Sequence, residues 1–358
     1  MSVKVSPERA EKIRRGLLTW YDEHRRSLPW RDDPDLYHVW LSEIMLQQTR
    51  VDQALPYYER FTEAFPTLES LASANLDAVL RQWEGLGYYA RARNLHKAAR
   101  QIVRSGSWPR SYEELHALPG IGPYTGRAIA SIAYGAREAA VDGNVRRVLA
   151  RLFAIAYPAK RQLQSLAESL LDRERPGDYN QAVMDLGALV CTPRSPLCDA
   201  CPVSTHCLAK ASGEPDSFPV ARKKSSPLQH YDIASGILTD DGGRIFIQRR
   251  EEKALLGGLW ELPGGKRNPD ETVKAACKRE LLEELGIEVA VGRLACKVKH
   301  AYTHYKITLW VHYCRILGGV PVSTAGLQTA WVHPCDLEHY AFPRANRRVL
   351  DALTADSA

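Results

Sequence analysis

The segment that decides the fold of the first half of the chain is Leu118-Pro119-Gly120-Ile121-Gly122, which stands directly before a helical pattern starting near Pro123. Glycines ahead of a helix let the backbone approach an anion, and the N–H groups of the first helical turn can then bind it. A DNA phosphate suits such a site, because phosphate contacts position a protein on a duplex. Many tight turns between helices also contain two glycines, so the segment alone predicts only a helix–turn–helix unit.

Around this segment the sequence predicts an all-α domain over residues 1–210. Apolar residues recur at three- and four-residue spacing, as in Ile13, Leu17 and Trp20. Proline and glycine interrupt this pattern often, which indicates many short helices.

The sequence pattern changes at Tyr231. Strand-like residues 231–238 and 244–248 flank Asp240-Asp241-Gly242-Gly243, which predicts a β-hairpin. Further predicted elements are a helix at about 270–285, strands at 295–299 and 305–315, and a helix at 343–353. Residues 230–358 therefore predict an α+β domain. The polar residues 211–229 predict a linker, with an ordered strap along the surface as the alternative.

Composition and charge restrict the protein class. The 358 residues are 45% hydrophobic and contain no run of ~20 apolar residues, so no membrane span is predicted. The first eleven residues lack the apolar run of a signal peptide, which predicts an intracellular, cytoplasmic protein with reduced thiols. Residues 1–224 hold 31 Lys and Arg against 26 Asp and Glu. This basic surplus fits nucleic-acid binding and fits a solvated surface equally well.

Four cysteines with the spacing C-x6-C-x2-C-x5-C lie within 17 residues. They are Cys191, Cys198, Cys201 and Cys207. Four thiolates at this density can surround one metal centre, and zinc and an iron–sulfur cluster are both chemically allowed. The remaining cysteines are expected to be small core residues. They are Cys277, Cys296, Cys314 and Cys335.

Residues 265–287 carry a complete Nudix box, which begins at Gly265 and includes Glu271 and Arg279. Helical spacing puts Glu280, Glu283 and Glu284 on one face, where three carboxylates can bind Mg²⁺ and a diphosphate. A solvated acidic helix face is the alternative.

Three further segments carry a family resemblance. Residues 40–49 (WLSEIMLQQT) and 85–95 (GLGYYARARNL) resemble signature segments of the MutY-type adenine DNA glycosylases, and so does the hairpin followed by 141–147 (VDGNVRR). The cysteine spacing resembles the loop that holds a [4Fe-4S] cluster in the endonuclease III superfamily. The resemblance implies a multi-domain protein: an all-α helix-hairpin-helix glycosylase domain with an iron–sulfur cluster loop, plus a C-terminal α+β Nudix-like domain. It also implies DNA contacts at Leu118, Gly120 and Gly122.

The same resemblance separates two reaction types. Endonuclease III-like enzymes that also cut the strand place a lysine nucleophile on the helix after the hairpin, and Tyr124 occupies the matching position here. Without that lysine a Schiff base with the sugar has no obvious donor. The sequence therefore favours hydrolysis without strand cleavage.

Two carboxylates are the predicted catalytic pair. Glu43 lies among apolar neighbours in the sequence, where a raised pKa would let it protonate the departing adenine. Asp142 would stay ionised and stabilise positive charge on the sugar. The resemblance implies that Tyr124 and Asn144 orient Asp142. Glu43 could instead be an exposed residue of an amphipathic helix, and Asp142 a helix N-cap; for Asp142 both roles can hold at once.

A base must leave the stack before its glycosidic bond can be reached. The resemblance implies a set of residues that form the adenine pocket, and a second set that enters the duplex beside the mispair as a wedge. The pocket residues are Arg26, Trp30, Arg31, Gln47 and Gln181, and the wedge residues are Tyr88 and Gln48 with Leu86 and Thr49.

The C-terminal domain is expected to recognise the partner base. The resemblance implies that Tyr302, Thr303 and His304 contact 8-oxoguanine, and an ordinary strand edge is the alternative. The complete Nudix box departs from the family, in which the box is usually degraded. Retained ancestry without activity is favoured over a nucleotide hydrolase.

The sequence thus predicts a monomeric, monofunctional glycosylase that removes adenine opposite 8-oxoguanine or guanine in double-stranded DNA. A glycosylase-lyase acting on oxidised pyrimidines and a Nudix hydrolase tethered to DNA are the competing hypotheses.

Overall fold

The structure is a computed structural model that describes residues 5–32, 35–220, 228–302 and 305–355. The described residues form two compact units. One contains residues from 1–54, 67–69 and 97–224, and the other contains residues from 55–66, 70–96 and 225–358. The segments 55–66 and 70–96, which the sequence places in the helical domain, therefore belong to the second unit. The limits 1–210, 211–229 and 230–358 stay predictions.

Helices make up most of the described part of residues 5–220. They are α1 (Pro7–His24), α2 (Pro29–Asp32), α3 (Leu36–Met45), α4 (Val51–Ala64), α5 (Leu68–Ser73), α6 (Leu76–Gln82), α7 (Ala90–Ser105), α8 (Tyr112–His116), α9 (Pro123–Tyr134), α10 (Gly143–Leu152), α11 (Lys160–Leu170), α12 (Pro176–Leu189) and α13 (Leu208–Ala211). Short 3₁₀ helices span Ser204–His206 and Pro215–Ser217. Within the described residues, no helix is long and apolar enough to cross a membrane.

The predicted hairpin is present between α8 and α9. Gly122 is the N-cap of α9, Pro123 occupies its first turn, and Gly135 ends it in the left-handed conformation with φ +65°. The next helix, α10, begins after Asp142, whose side chain accepts a hydrogen bond from the Val145 N–H at 2.6 Å. Both helices therefore begin where the local sequence predicts.

The C-terminal residues form two sheets with helices against them. The elements are β1 (Gln229–Leu238), β2 (Ile245–Arg249), β3 (Trp260–Glu261), β4 (Gly264–Lys266), α14 (Val273–Leu285), β5 (Glu288–Ala301), β6 (Tyr305–Gly318), β7 (Thr329–Val332), a 3₁₀ helix (Pro334–His339) and α15 (Arg344–Ala355). The strand orders are β4-β1-β6-β5 and β3-β2-β7. In the first sheet β1 runs parallel to β6, and the other pairs are antiparallel. The predicted fold class is confirmed.

The β-hairpin predicted around Asp240–Gly243 is wrong in one respect: the two strands beside the turn do not pair with each other in one sheet. In the described part of the chain a turn with an isolated bridge between Thr239 and Ile245 is present, but β1 and β2 belong to different sheets. The reason is tertiary, because β1 pairs along ten residues with β6, from Gln229 opposite Tyr305 to Leu238 opposite Cys314.

Candidate active site

Glu43 is a buried carboxyl group in the first unit. It lies on α3, its exposed fraction is 7%, and it accepts a hydrogen bond from the Tyr124 hydroxyl at 3.1 Å. Burial raises the pKa of the Glu43 carboxyl to about 7, and repulsion from Asp142 adds to the rise. The Tyr124 hydrogen bond and the charge of Arg31 act in the opposite direction. The exposed-residue alternative for Glu43 is excluded, and the group can exist as a neutral acid near neutral pH.

Asp142 is held by the start of α10. One carboxylate oxygen accepts from the Val145 N–H, and the other accepts from Asn144 Nδ2 at 3.1 Å. Burial raises the pKa of Asp142, while the hydrogen bonds and the charge of Arg147 act to lower it. Asn144 therefore contacts Asp142 as the resemblance implied, and the N-cap role of Asp142 holds as well.

Tyr124 contacts the other carboxyl group. The resemblance assigned it to Asp142, but its hydroxyl donates to Glu43 and lies 3.7 Å from the Met184 sulfur. This contact follows from packing, because α9 lies against α3 and places Tyr124 beside Glu43. The predicted role of Tyr124 toward Asp142 stays a prediction. Tyr124 thus donates a hydrogen bond to the Glu43 carboxyl group, whose pKa is raised to about 7.

A hydrogen-bond chain runs from Asp142 to the cysteine loop. Arg147 donates to Asn144 Oδ1 at 2.9 Å and to the Cys191 carbonyl at 2.8 Å. Gly187 allows this approach, because a Cβ there would lie 2.6 Å from the Asn144 Cβ. No sequence motif predicted this link.

A buried ion-pair cluster, which sequence analysis missed, binds two of the predicted pocket residues. The Asp185 carboxylate is fully buried and pairs with both Arg26 and Arg31. Arg31 Nη1 lies 2.7 Å from Asp185 Oδ2, and Arg26 Nε lies 3.0 Å from Oδ1. Burial alone would raise the pKa of Asp185, but the two guanidinium groups bring it below its usual value. Asp185 therefore orients both arginines.

Replacing Asp185 with asparagine is expected to lower the free energy of unfolding by about 3 kcal/mol, because the side chains of Arg31 and Arg26, which are 9% and 27% exposed, lose their buried counter-charge. Urea denaturation measures the change. The matched control is Asp22→Asn, which breaks the ion pair between Asp22 and Arg175. The side chain of Asp22 is 50% exposed and that of Arg175 is 41% exposed. That exposed pair should contribute under about 1 kcal/mol. Equal effects of the two substitutions would contradict the role of Asp185.

The other predicted pocket residues lie in the same unit. Trp30 is buried on α2, Gln181 is half-buried on α12, and Gln47 follows α3. Gln47 Nε2 donates to Thr125 Oγ1 at 2.9 Å, and Thr125 lies on α9 beside Tyr124. Gln47 is therefore tied to the element that contacts Glu43.

The predicted DNA-contact residues of the first unit occupy turns. Gln48 is exposed and has φ +57°, a conformation that non-glycine residues rarely adopt, and Thr49 is half-buried. In the hairpin Gly120 is exposed with φ +81°, Gly122 is half-buried, and the Leu118 side chain is buried. Backbone groups rather than the Leu118 side chain are thus available to a phosphate.

Tyr88 of the second unit is held in a strained turn. Its φ is +50° and its ring is 38% exposed, whereas Leu86 is buried at 4%. Arg91 lies beneath this turn and donates to the carbonyl groups of Gly87 at 3.0 Å and Leu86 at 3.4 Å. Its guanidinium also lies over the rings of Tyr88 and Trp83. Arg91 therefore supports the turn that presents Tyr88.

The substitution Arg91→Met is expected to weaken binding to a mispaired duplex by about tenfold, because two inward-facing carbonyl groups lose their donor and the turn relaxes. Fluorescence anisotropy measures the affinity. In a Tyr88→Ala background the same substitution should add little, since Arg91 acts through Tyr88. Fully additive losses would show that Arg91 acts independently of Tyr88.

The four clustered cysteines line one cavity in the first unit, together with Arg151 and Lys210. Arg151 is buried and lies 3.4 Å from the Cys191 sulfur. Among the described residues, no three His, Cys, Asp or Glu side chains are close enough to hold a single metal ion. A zinc ion needs four sulfurs drawn to about 2.3 Å from one atom. Four cysteines that line one cavity fit an iron–sulfur cluster, which is held by cysteine thiolates.

The Nudix-box glutamates accept hydrogen bonds within the second unit. Arg279 donates to Glu280 at 2.8 Å and to Glu283 at 3.0 Å. Glu284 accepts from Gln248 at 2.7 Å and from the Gly264 N–H at 3.1 Å. The three carboxylates are therefore divided between two sets of donors.

The region predicted to read the partner base is described in part. The Tyr302 ring stacks on Tyr305 with centroids 4.8 Å apart, and His300 approaches its edge at 4.5 Å. Thr303 and His304 lie outside the described residues. Tyr302 therefore belongs to an aromatic cluster at the ends of β5 and β6, and its predicted contact with the base stays a prediction.

Three family models match the chain in order. Residues 41–173 match the HhH-GPD superfamily base excision DNA repair proteins, residues 191–207 the iron–sulfur binding domain of endonuclease III, and residues 234–352 the NUDIX domain. An iron–sulfur cluster is thus the cofactor of the cysteine loop.

Known proteins are similar over most of the chain. The adenine DNA glycosylase of Homo sapiens is 38% identical over 94% of this chain and 73% of its own length. That of Schizosaccharomyces pombe is 42% identical over 92% and 86%. The solved structure of a thermostable thymine-DNA glycosylase matches 57% of this chain and 98% of its own, with 29% identity and a TM-score of 0.54. An endonuclease III–DNA complex shares the fold at 20% identity and a TM-score of 0.52.

Proposed function

Since the chain belongs to the adenine DNA glycosylase family, we propose that it hydrolyses the N-glycosidic bond of adenine paired with 8-oxoguanine or guanine in duplex DNA. DNA glycosylase activity in base excision repair is the activity of this family. The observation that carries the proposed chemistry is the buried Glu43, hydrogen-bonded to Tyr124 and close enough to Asp142 for its charge to raise the pKa of Glu43.

Glu43 supplies the proton in this proposal. Adenine leaves readily only when a ring nitrogen is protonated, and a carboxylic acid with a pKa of about 7 is neutral often enough to do so. Tyr124 donates to Oε2, which leaves Oε1 to carry the acidic proton toward the base. Asp185 fixes Arg26 and Arg31 at the proposed adenine pocket.

Asp142 stabilises the sugar as the base departs. Positive charge develops on the sugar in such reactions, and an ionised carboxylate beside it lowers the barrier. The bonds from Val145 and Asn144 favour the charged form of Asp142. With Tyr124 where a lyase has lysine, the reaction ends at hydrolysis.

The cofactor is proposed to be a [4Fe-4S] cluster bound by Cys191, Cys198, Cys201 and Cys207. When bound, it supplies metal–sulfur bonds that hold the loop after α12 in place. Arg147 then connects that loop, through Asn144, to the catalytic carboxylate. The protein is proposed to act as a monomer, and sedimentation with and without DNA tests this.

A panel of labelled duplexes tests the main proposal. Each carries one adenine opposite 8-oxoguanine, guanine, cytosine or thymine, and alkali converts an excised base to a strand break. Breaks are expected only after alkali, and only opposite 8-oxoguanine and guanine. No break at adenine opposite 8-oxoguanine would overturn the proposal. Breaks without alkali, or a complex trapped by borohydride, would indicate a lyase instead.

In the second unit, Glu280, Glu283 and Glu284 are proposed to bind Mg²⁺. For this the cation must displace Arg279, which donates hydrogen bonds to Glu280 and Glu283. Nucleotide hydrolysis would follow the same displacement. The full-length protein with Mg²⁺ and a set of nucleoside triphosphates tests it. Absence of released phosphate and pyrophosphate would leave the box with a structural role.

A further inference from the structure

Two cysteines of the second unit lie side by side, although they are 37 residues apart in the sequence. The sulfur atoms of Cys277, on α14, and Cys314, on β6, are 3.8 Å apart. Cys277 is fully buried, whereas Cys314 is half-buried. The sequence predicted small core residues, and the structure shows in addition that these two are in contact.

The neighbouring strand leaves room for this pair. Gly236, on β1, faces both sulfur atoms, and a Cβ at this position would lie 3.1 Å from the Cys314 sulfur and 3.7 Å from the Cys277 sulfur. The same Cβ would come within 2.8 Å of the Leu281 side chain. Glycine at 236 therefore lets the helix carrying Cys277 lie close to the strand carrying Cys314.

We propose that Cys277 and Cys314 form a dithiol modification site that a hydroperoxide converts into a disulfide. The Cys314 sulfur attacks the peroxide oxygen, which gives a sulfenic acid and releases water when the oxidant is hydrogen peroxide. The Cys277 sulfur then attacks the sulfenic sulfur and releases a second water. Two thiols thereby lose two electrons and two protons, and one hydrogen peroxide is reduced to two waters.

Cys314 is the thiol that reacts first. It is the more exposed of the two, and it shares a sulfur–sulfur hydrogen bond with Cys277. That hydrogen bond lowers the pKa of the Cys314 thiol, which favours the nucleophilic thiolate. Cys277 lies in contact behind it and acts as the resolving thiol.

The disulfide requires only a small movement. A disulfide bond is about 2.05 Å long, so the two sulfur atoms must approach by less than about 2 Å, which side-chain rotation and a slight helix shift can provide. The new bond joins α14 to β6 across the residues between them. We expect it to raise the unfolding temperature of the oxidised protein by about 5 °C.

The experiment treats the full-length, cluster-loaded protein with hydrogen peroxide, at concentrations that leave the visible absorbance of the cluster unchanged. Remaining thiols are alkylated, and non-reducing peptide mass spectrometry locates the disulfide. The Cys277–Cys314 peptide pair is expected before the exposed Cys335 is oxidised. The thermal shift should appear with it and disappear after reduction.

Three variants control the result. Cys335→Ser should form the disulfide as the wild type does, whereas Cys314→Ser should lose both the cross-link and the thermal shift. Cys277→Ala, which keeps the buried site apolar, should instead leave Cys314 as a longer-lived sulfenic acid that dimedone traps. Oxidation of Cys335 while Cys277 and Cys314 both remain alkylatable would overturn the proposal. A thermal shift that persists in Cys314→Ser would overturn it too.

Discussion

Replacing Glu43 with glutamine is expected to lower the rate of adenine excision by about 10²–10⁴-fold, the usual contribution of a positioned general acid. Glutamine has nearly the same shape and can still accept the Tyr124 hydrogen bond, but it cannot transfer a proton to the base. Binding to the mispaired duplex should be retained, since Glu43 contributes chemistry rather than affinity. Single-turnover kinetics measure the first quantity and fluorescence anisotropy the second.

The pH dependence of the excision rate tests whether Glu43 is the acid. In the wild type the rate should be highest where Glu43 is protonated and should fall as the pH rises through about 7. The residual activity of Glu43→Gln should lack this fall. A wild-type profile that stays level from pH 6 to about pH 9 would contradict the assignment of Glu43 as the acid.

Stability provides the control against misfolding. The pKa of Glu43 is about 7 in the folded protein and near 4.5 in the unfolded chain. The stability that comes from burying the neutral acid is therefore complete below pH 4.5 and is lost as the pH rises through 7, by up to about 3 kcal/mol. Glutamine does not ionise, so at pH 8 the variant should be more stable than the wild type. An inactive variant with higher stability cannot be explained by misfolding.

Local sequence predicted the elements that depend on neighbouring residues. The turn before α9, the N-cap at Asp142 and the helix that carries the Nudix box all follow from glycine, proline and capping residues within a few positions. Strand pairing did not follow from local sequence. A turn signal at Asp240 was correct, but the partner of β1 was decided by β6, some seventy residues later.

The same distinction between local signals and distant contacts applies to the candidate active site. Glu43 and Asp142 were predicted from family motifs, and the partners of Asp142 are its neighbours Asn144 and Val145, but the partner of Glu43 and the counter-ion of the pocket arginines come from distant parts of the chain. Tyr124 is 81 residues from Glu43, and Asp185 is 159 residues from Arg26. Asp185 lies in the largely apolar second half of α12, and nothing next to it in the sequence indicates that it will meet two arginines. The contact of Tyr124 with Glu43 also depends on how α9 packs on α3, which no local pattern encodes.

Asp142→Asn is expected to reduce adenine excision by about 10³-fold, because the charge that stabilises the developing sugar cation is lost. Asparagine caps helices as well as aspartate does. The bond from the Val145 N–H, and with it the stability of α10, should therefore be kept. Asp142→Ala loses both functions and should also cost about 1 kcal/mol in the free energy of unfolding. The pair of variants thus separates the charge from the cap.

The matched control for this separation is Asp35→Asn. Asp35 is the N-cap of α3 and accepts from the His38 N–H at 2.7 Å, so the same atoms change in the same kind of position. The side chain of Asp35 is 56% exposed and has no role in the proposed chemistry. Excision should continue at the wild-type rate in Asp35→Asn and be lost in Asp142→Asn, while neither variant unfolds at a lower urea concentration than the wild type. If Asp142→Asn were as active as Asp35→Asn, Asp142 would be a helix cap alone, and the carboxylate that stabilises the sugar would have to be another residue.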